Sequence, residues 1–230
     1  MSGTPHSTNP LARRVLVFDR DNLFRELLVN SLTLHGFDVV GASDPQVAWS
    51  ELVAADPDAV VMDVQVSSCE SGISLAEAML EQSPGIGLVF LTDVLHPRVV
   101  DAERRNIPPG SAYLHKSSIH GMEEVVEALE AVLHERSEVP RHDLLYAASW
   151  SELSAQQIEV LHLIAQGYSN KEIAEQRGTQ VRSVEALIGR TFEQLNIDSF
   201  GREGNRRVLA ARHFILACGQ RAEARSIESV

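Results

Sequence analysis

Two patterns of hydrophobic residues divide the sequence into two parts. From Val15 to about Leu133, short apolar runs alternate with amphipathic stretches, whereas beyond about residue 150 only a helical pattern remains. The runs are VLVF, DVVGA, AVVM, GLVFL and AYL, which begin at residues 15, 38, 59, 87 and 112. They are rich in Val and Leu and lack polar alternation, which is typical of strands buried on both faces. The first part is therefore predicted to be a doubly wound α/β domain, with five parallel strands alternating with five helices.

The stretches between these runs carry signals for the start and the end of helices. LFRELLVNSLTLHG has apolar residues three and four positions apart and closes on Gly36. DPQVAWSELVAAD begins with Asp44 as a plausible N-cap and Pro45 at the first helical position. Ligands of such folds bind beyond the carboxyl ends of the strands. The polar residues at those ends are Asp19, Asp63, Thr92 and, past the fifth strand, Lys116.

The second part begins after a stretch in which apolar residues recur at no regular spacing. RSEVPRHDLLYAAS, residues 136–149, contains a proline and mixed charge, and it is predicted to be a linker. Ser154 and Gln157 then fit a capping box before one helix, and Ser169 and Glu172 fit another before the next. Gly178 breaks this second helix. The pattern predicts a third helix from about residue 182 to 195 and a fourth from about residue 205 to 218.

The second and third of these helices, separated by a turn that contains Gly178, form a helix-turn-helix arrangement. One stripe of the third helix is apolar and is predicted to face the core: Val184, Ile188, Phe192 and Leu195. The opposite side carries Arg182, Glu185, Ala186 and Gly189. Small residues let a helix sit deep in the major groove of DNA, and Arg pairs with guanine edges or phosphates. An all-α bundle with a solvated charged face has the same periodicity, so periodicity alone leaves both interpretations open.

Composition narrows the possible functions. The 230 residues carry a net charge of -12, of which -11 falls on the part up to Arg141 and -1 on the remainder. This balance argues against indiscriminate nucleic-acid binding but permits a DNA-binding face on the second part. No apolar run approaches the roughly 20 residues that cross a membrane, so a cytoplasmic protein is expected. Cys69 and Cys218 lack metal-ligand spacing and are expected to be reduced thiols.

The helical part resembles a known DNA-binding module. LSAQQIEVLHLIAQGYSNKEIAEQRGTQVRSVEALIGRTFEQLNI is similar, element for element, to the LuxR-type helix-turn-helix, with its E-V-L, G-x-S-N-K-E-I-A and S-V-E motifs. The resemblance implies sequence-specific binding of double-stranded DNA through the third helix, and homodimerisation through the last helix with Val208, Ala211 and Ile215. The candidate DNA-contacting residues are Ser169, Lys171, Arg182, Ser183, Glu185, Ala186, Gly189 and Arg190.

The recognition helix departs from the LuxR-type pattern in two ways. Leu187 stands where such proteins often carry His, and Glu185 lies on the face expected to meet DNA. Binding is therefore expected to depend on Arg182, Arg190 and Lys171, so that dimerisation matters more. Glu185 either accepts a hydrogen bond from cytosine or is solvated.

The motif Asp19-Arg20-Asp21 at the end of the first strand resembles two different sites. As D-x-D it is similar to the nucleophile loop of haloacid dehalogenase phosphatases, with Asp19 as nucleophile. That enzyme also needs a later acidic motif and a cap domain, for which the chain has no room. With Arg20 in place of a second acid, the motif resembles the first loop of a response-regulator receiver domain.

The receiver resemblance fits more positions. It makes Asp63 the phosphoacceptor, Thr92 and Tyr113 the switch residues, and Lys116 the partner of a negatively charged oxygen. The flavodoxin-like receiver and the LuxR-type module together resemble a response regulator of the NarL/FixJ class. The resemblance implies a transcription regulator of a two-component system rather than an enzyme.

The receiver site departs from the family pattern. Receivers present two adjacent acids that hold Mg²⁺ with the acceptor, but here the second acid is Arg20, and Asp21 points differently. Mg²⁺ is expected only if Asp19 and Asp63 suffice, and no other cofactor is expected. Arg20 is predicted to pair with Asp63 and to block attack on a phosphoryl group. The loop VQVSSCESG after Asp63 also lacks the usual Met-Pro, and Asp93 adds negative charge after Thr92.

Two modes of regulation follow from these departures. In the first, an atypical receiver works without conventional phosphorylation, and a small ligand, a partner protein or constitutive dimerisation replaces the phosphoryl group. In the second, Asp63 is phosphorylated conventionally by a histidine kinase. The predicted organisation is a disordered lead (1–12), a receiver-like domain (13–134), a linker (135–149), a LuxR-type domain (150–218) and a tail (219–230).

Overall fold

A computed structural model describes residues 12–65, 71–100, 107–145, 150, 152–197 and 205–219. Contacts divide the chain into two compact units. The first comprises residues 1–92 and 107–141, and the second comprises residues 93–106 and 142–230. Residues 1–11 of the predicted lead and 220–230 of the predicted tail lie outside the described residues.

A five-stranded parallel sheet forms the first unit. Its strands are β1 Arg14–Phe18, β2 Asp38–Ala42, β3 Ala59–Met62, β4 Gly87–Thr92 and β5 Ala112–His115. They lie in the order β2-β1-β3-β4-β5, with parallel pairing throughout. Val15 and Val17 join a core cluster on one face, whereas Leu16 and Phe18 are buried outside it, so that helices cover both faces. The predicted doubly wound α/β fold is confirmed.

Four α-helices are described in the first unit. They are α1 Asn22–Leu34, α2 Pro45–Ala55, α3 Gly72–Gln82 and α4 Met122–Leu133. Asp44 caps α2 as the sequence predicts, by accepting a hydrogen bond from the amide of Val47 at 2.9 Å, with Pro45 in the first helical position. Asp21 caps α1 in the same way, through the amide of Phe24 at 3.0 Å.

The segment between β4 and β5 differs from the predicted pattern. The described residues 93–100 and 107–111 contain no α-helix, only a 3₁₀ turn at Pro97–Val99, while residues 101–106 lie outside the description. Pro97, Pro108 and Pro109 supply no amide hydrogen, and proline disfavours a helical conformation of the residue before it. The expectation of five helices between and after the strands is therefore not met in the part of the chain that the structure describes.

The first unit extends into the stretch that the sequence predicts to be a linker. The amide of Tyr113 on β5 donates to the carbonyl of Pro140 at 2.8 Å, and Tyr113 forms an isolated parallel bridge with Arg141. A 3₁₀ helix, His142–Leu145, follows in the second unit. The chain therefore pairs along the edge of the sheet as far as Arg141.

Helices form the second unit. They are α5 Ala155–Ala165, α6 Asn170–Gln176, α7 Val181–Gln194 and α8 Arg206–Ala217. Both predicted capping boxes are present, at Ser154 with Gln157 and at Ser169 with Glu172. The predicted core stripe of α7 is buried, with Val184, Ile188, Phe192 and Leu195 in a cluster that also contains Trp150. None of the helices described here has the length and apolar character to cross a membrane.

Candidate functional site

Lys116 lies between two carboxylates at the carboxyl end of the sheet. Its ammonium nitrogen is 2.9 Å from Oδ2 of Asp19 and 3.0 Å from Oδ2 of Asp63. Asp19 directly follows β1, Asp63 directly follows β3 and Lys116 directly follows β5. Because the strands are parallel, their carboxyl ends share one edge, and residues distant in sequence meet there. The sequence prediction placed all three residues at this edge, and the structure brings them into direct contact.

The other oxygen of Asp63 is also occupied. The hydroxyl of Thr92 donates to Oδ1 of Asp63 at 2.6 Å, and the amide of Gln65 donates to the same atom at 3.0 Å. Both oxygens of the predicted phosphoacceptor thus accept hydrogen bonds, Oδ1 from Thr92 and Gln65, and Oδ2 from Lys116. Thr92 is fully buried. The carboxylate is therefore held in one orientation by three donors.

The two acids of the motif Asp19-Arg20-Asp21 have different surroundings. Asp19 is buried, and its Oδ1 accepts a hydrogen bond from the amide of Asp21 at 2.8 Å. Arg25 donates to the carbonyl oxygen of Asp19 at 2.7 Å and so fixes the turn. Asp21 is exposed, and its side chain caps α1. Asp21 is therefore committed to helix capping and does not take the place of a second site carboxylate.

Arg20 is exposed and does not pair with Asp63. The ion pairs of Asp63 and Asp19 among the described residues are both with Lys116. The predicted Arg20–Asp63 pair is therefore wrong for this structure. Arg20 is adjacent to the buried Asp19, and its side chain turns to solvent instead of into the site. The cation that neutralises the acceptor comes from the end of β5.

The surroundings of Lys116 favour its charged form. Burial alone would lower the pKa of the ammonium group, but the charges of Asp63 and Asp19 and their hydrogen bonds raise this pKa above its ordinary value of 10.5. The ammonium also lies 4.3 Å from the centroid of the Phe24 ring, within the range of a cation–π contact. Phe24 was missed by the sequence prediction. The sequence feature that could have identified Phe24 is an aromatic residue in the first helical turn after the acidic motif.

The residues at this edge fit a dedicated Mg²⁺ site poorly. A hard cation needs several oxygen ligands, and this site offers the carboxylates of Asp19 and Asp63, both bound to Lys116. Arg20 replaces the adjacent acid, and Asp21 caps α1. The residues that the structure describes contain no group of three or more His, Cys, Asp or Glu side chains arranged around a metal position.

The remaining predicted receiver residues are placed as follows. Tyr113 is completely buried, and its ring centroid lies 6.3 Å from that of Phe90 on β4. Asp93 is exposed and belongs to the second unit. In the loop after Asp63, residues 66–70 lie outside the described part, while Gln65 forms an isolated bridge with Ser71.

The predicted recognition helix α7 has one buried face and one exposed face. The exposed residues are Val181, Arg182, Ser183, Glu185, Ala186, Arg190 and Glu193. Gly189 is partly exposed, and a Cβ added there would meet no atom within 4 Å. The face therefore has an arginine near each end, with Glu185, Ala186 and Gly189 between them. This surface lets a helix approach a nucleic-acid groove closely.

Leu187, where LuxR-type proteins often carry His, is buried in the core of the second unit, as is Thr191. The hydroxyl of Thr191 donates to the carbonyl of Leu187 at 2.8 Å, so this buried polar group has its hydrogen-bond partner within the helix. Leu187 therefore packs in the core and does not belong to the exposed face.

At the start of α6, two backbone amide groups already have hydrogen-bond partners within the chain. The amide of Ser169 donates to Oε2 of Glu172 at 2.7 Å, and the Ser169 hydroxyl accepts from the amide of Glu172 at 3.3 Å. Hydrogen bonds to the Glu172 carboxylate, first from the side chain of Ser169 and then from its backbone amide, lower the pKa of the Glu172 carboxyl group. Lys171 is exposed, with its ammonium 3.9 Å from Oε1 of Glu175. Of the residues predicted to hold phosphate here, Lys171 is the available cation.

Arg207 on α8 was missed by the sequence prediction. Its guanidinium donates to Oδ1 of Asn170 at 2.7 Å and to the carbonyl of Tyr168, and so ties α8 to the start of α6. Partial burial lowers the pKa of Arg207. No spacing rule predicts this contact, because it joins two helices that are distant in sequence.

The residues predicted for dimerisation lie on the outer part of α8. Val208 is 62% exposed, and Ala211 and Ile215 are partly exposed. Ala210, Phe214 and Ala217 form the buried side of the same helix.

Comparison with known proteins identifies both parts of the chain. Residues 15–130 match the response regulator receiver domain, and residues 151–200 match the luxR family of bacterial regulatory proteins. The oxygen regulatory protein NreC of Staphylococcus haemolyticus is 27% identical over 177 residues, which cover 70% of this chain and 80% of NreC. The transcriptional regulatory protein DegU of Brevibacillus brevis is 22% identical over 209 residues, covering 80% and 88% of the two chains.

A solved structure shares the fold. The structure of the two-component response regulator RcsB in complex with DNA matches with a TM-score of 0.60 at 18% identity, and the match covers 90% of this chain and 98% of RcsB. The expectation of a regulator rather than an enzyme is confirmed by the two family matches. The chain therefore belongs to the response regulators of the NarL/FixJ class, in which a receiver domain precedes a LuxR-type DNA-binding domain.

Proposed function

We propose that this response regulator acts in the cytoplasm as a homodimer that binds double-stranded DNA with α7 in the major groove. The observation that carries the proposal is the division of α7 into a buried apolar face and an exposed face with Arg182 and Arg190. Arginine contacts phosphates and guanine edges, and the small Ala186 and Gly189 allow close approach to the groove. Lys171 on α6 adds a phosphate contact.

Glu185 and the chain's acidic charge determine how strongly this face binds. Glu185 lies on the exposed face among few cations, so the affinity of one unit for a half-site is modest, and two units on one DNA are needed. The exposed Val208, with Ala211 and Ile215, forms the apolar surface on α8 that joins the two copies. The proposed DNA-binding domain spans residues 150–218 and the proposed receiver residues 13–134. Of the proposed linker 135–149, the residues up to Arg141 belong to the first unit.

The receiver controls this activity without conventional phosphorylation. Phosphoryl transfer to an aspartate needs a metal that neutralises the phosphoryl oxygens and an acceptor free for in-line attack. In this chain the second metal-site acid is Arg20, and both oxygens of Asp63 are engaged by Lys116, Thr92 and Gln65. A small ligand or a partner protein that displaces Lys116 from Asp63 would replace the phosphoryl group as the signal. Conventional phosphorylation by a histidine kinase is the competing mode, which retention of Thr92, Tyr113 and Lys116 favours.

DNA binding is tested by electrophoretic mobility shift on a pool of fragments at several salt concentrations. The wild-type protein is expected to shift a subset of fragments, with an affinity that falls as salt rises. Arg182→Ala is expected to abolish selective binding. It reduces the slope of log affinity against log salt by about one unit if Arg182 contacts a phosphate, and leaves the slope unchanged if it contacts a base.

Arg136→Ala is the matched control, because Arg136 is also an exposed arginine but lies after α4 in the first unit. It should shift DNA as the wild type does. Equal loss in both variants would mean that net charge, and not α7, carries the binding. No shift of any fragment by the wild-type protein would reduce the chain to an interaction module that has lost DNA binding.

A further inference from the structure

A short segment between β4 and β5 belongs to the helical unit and not to the sheet that it follows. This inserted segment, residues 93–100, lies within the stretch that matches the receiver family, yet it forms one compact unit with residues 142–230. Val99 is 6% exposed and lies in the same core cluster as Trp150, Leu153 and Phe214. Leu95 and Val100 pack against this cluster.

The inserted segment satisfies backbone groups of the helical unit. The amide of Leu95 donates to the carbonyl of Ala217 at 3.0 Å. Ala217 is the last residue of α8, where carbonyl groups lack partners within the helix. Arg98 donates to the carbonyl of Leu153 at 3.1 Å, just before α5. One segment thus caps the end of α8 and ties down the chain that leads into α5.

The conformation and surroundings of Gly219 show how closely the inserted segment approaches the end of α8. Gly219 has a φ of +69°, and a Cβ added there would lie 2.6 Å from the backbone carbon and oxygen of Asp93. Real Cβ atoms do not approach backbone atoms so closely, so only glycine fits without a shift of the segment. The close approach at Gly219 and the hydrogen bond to Ala217 lie at the same end of α8.

The sequence explains why this segment is available for such a contact. Pro97, Pro108 and Pro109 disfavour a long helix between β4 and β5, so the apolar residues Leu95, Val99 and Val100 have no helical face in the first unit. The inserted segment also begins one residue after Thr92, whose hydroxyl donates to Asp63. The end of β4 is thus connected directly to the predicted phosphoacceptor on one side and to the cap of α8 on the other.

We propose that the inserted segment is a C-terminal cap for α8, and that it makes the order of the last turns of α8 depend on the position of the end of β4. This proposal rests on the proposed function in one respect, because α8 is the helix assigned to dimerisation. When Thr92 moves away from Asp63, the inserted segment is displaced from the end of α8. Helix α8 then loses its C-terminal cap, and the dimer is weakened. The Lys116-bound state of Asp63 is then the state in which the homodimer is favoured.

Hydrogen–deuterium exchange of the full chain, read on peptides that cover α8, tests the cap. Val99→Ala removes buried contacts of the inserted segment, and it is expected to raise exchange in the last turns of α8 about tenfold. Exchange in α6 should not change. Val53→Ala is the matched control, because Val53 lies on α2 with 61% of its surface exposed. It should exchange as the wild type does.

A second pair of variants tests the contact at Gly219. Gly219→Ala and Gly167→Ala both place alanine at positive φ, but a Cβ at Gly167 would meet no atom within 4 Å. Faster exchange of α8 in Gly219→Ala alone supports the cap. Unchanged exchange in both Val99→Ala and Gly219→Ala would overturn it.

Sedimentation of the same variants tests the effect on the dimer. Loss of dimer in Val99→Ala and Gly219→Ala is the expected result, and a tighter dimer would show that the segment restrains α8 instead of supporting it, which overturns the proposal. Failure of the wild-type protein to bind DNA would count against the proposed function only. The exchange of α8 decides on the cap in either case.

Discussion

At the scale of single residues, Lys116 joins two carboxylates, those of Asp19 and Asp63, that come from distant parts of the chain. Asp19, Asp63, Thr92 and Lys116 were identifiable because each lies at the carboxyl end of a buried strand, and parallel strands share that edge. The partner of Asp63 was not identifiable. Arg20 and Lys116 are both cations at this edge, and only the direction of each side chain decides between them. Arg20 points to solvent, and Lys116 bridges both acids.

The bridge by Lys116 should stabilise the first unit. Lys116→Met leaves two neighbouring carboxylates without their cation, so the free energy of unfolding should fall by about 2 kcal/mol. Urea denaturation at neutral pH, followed by circular dichroism, measures the change. In an Asp63→Asn background the same substitution should cost less, because one of the two charges is already absent. An equal cost in both backgrounds would mean that the ion pair with Asp63 contributes nothing and that Lys116 stabilises through Asp19 and the Phe24 ring.

The raised pKa of Lys116 sets the pH range of this stabilisation. The folded-state pKa lies above the ordinary value of 10.5, so the contribution is fully present below that value and is lost as pH rises through the folded-state pKa. The difference in unfolding free energy between wild type and Lys116→Met should stay constant from pH 7 to about 10 and shrink above it. A difference that shrinks between pH 7 and 9 would contradict this assignment.

At the scale of elements, the sequence predicted the helix caps correctly, but it did not predict which unit the segment between β4 and β5 packs against. Asp44, Ser154 and Ser169 cap their helices as the sequence indicated, because a cap needs only residues within one turn. Of the helix expected between β4 and β5, the described residues 93–100 and 107–111 show only a 3₁₀ turn at Pro97–Val99. The packing partners of the inserted segment lie far along the chain and leave no periodic signal.

The capping box of α5 offers a prediction at this scale. Ser154→Ala removes the acceptor for the amide of Gln157, and it should lower the free energy of unfolding of the second unit by about 1 kcal/mol. Ser154→Asp should keep most of the stability, because aspartate is also a good N-cap. Urea denaturation of the three proteins compares them. Equal stability of Ser154→Ala and the wild type would mean that the contact between Gln157 and Gln194 is sufficient to hold the helix start.

At the scale of the whole molecule, the chain consists of two compact units with one tryptophan in each. Trp49 lies on α2 of the first unit and is partly exposed, whereas Trp150 is buried in the core of the second unit. The two family matches agree with this division except at the inserted segment, which the sequence assigns to the receiver and the structure to the helical unit. Sequence similarity follows chain order, while the units are defined by contacts.

The two tryptophans allow the units to be followed separately. In Trp49→Phe the fluorescence of Trp150 reports on the second unit alone. Adding Lys116→Met should then lower the midpoint of the fluorescence transition less than it lowers the midpoint of the transition followed by circular dichroism, because Lys116 pairs with acids of the first unit and reaches the second unit only through the cap of α8. A shift of the fluorescence midpoint by the same amount would mean that the chain unfolds as one cooperative unit.

The proposed regulation requires that Asp63, held by Lys116, is not phosphorylated in the conventional way. Intact-mass spectrometry after incubation with acetyl phosphate and Mg²⁺ measures this, with Asp63→Asn as the negative control. We expect no added phosphoryl group on the wild-type protein and recovery of phosphorylation in Arg20→Asp, which restores the adjacent acid of the metal site. One phosphoryl group on the wild type that is absent from Asp63→Asn would make the protein a phosphorylation-driven switch and overturn the proposal.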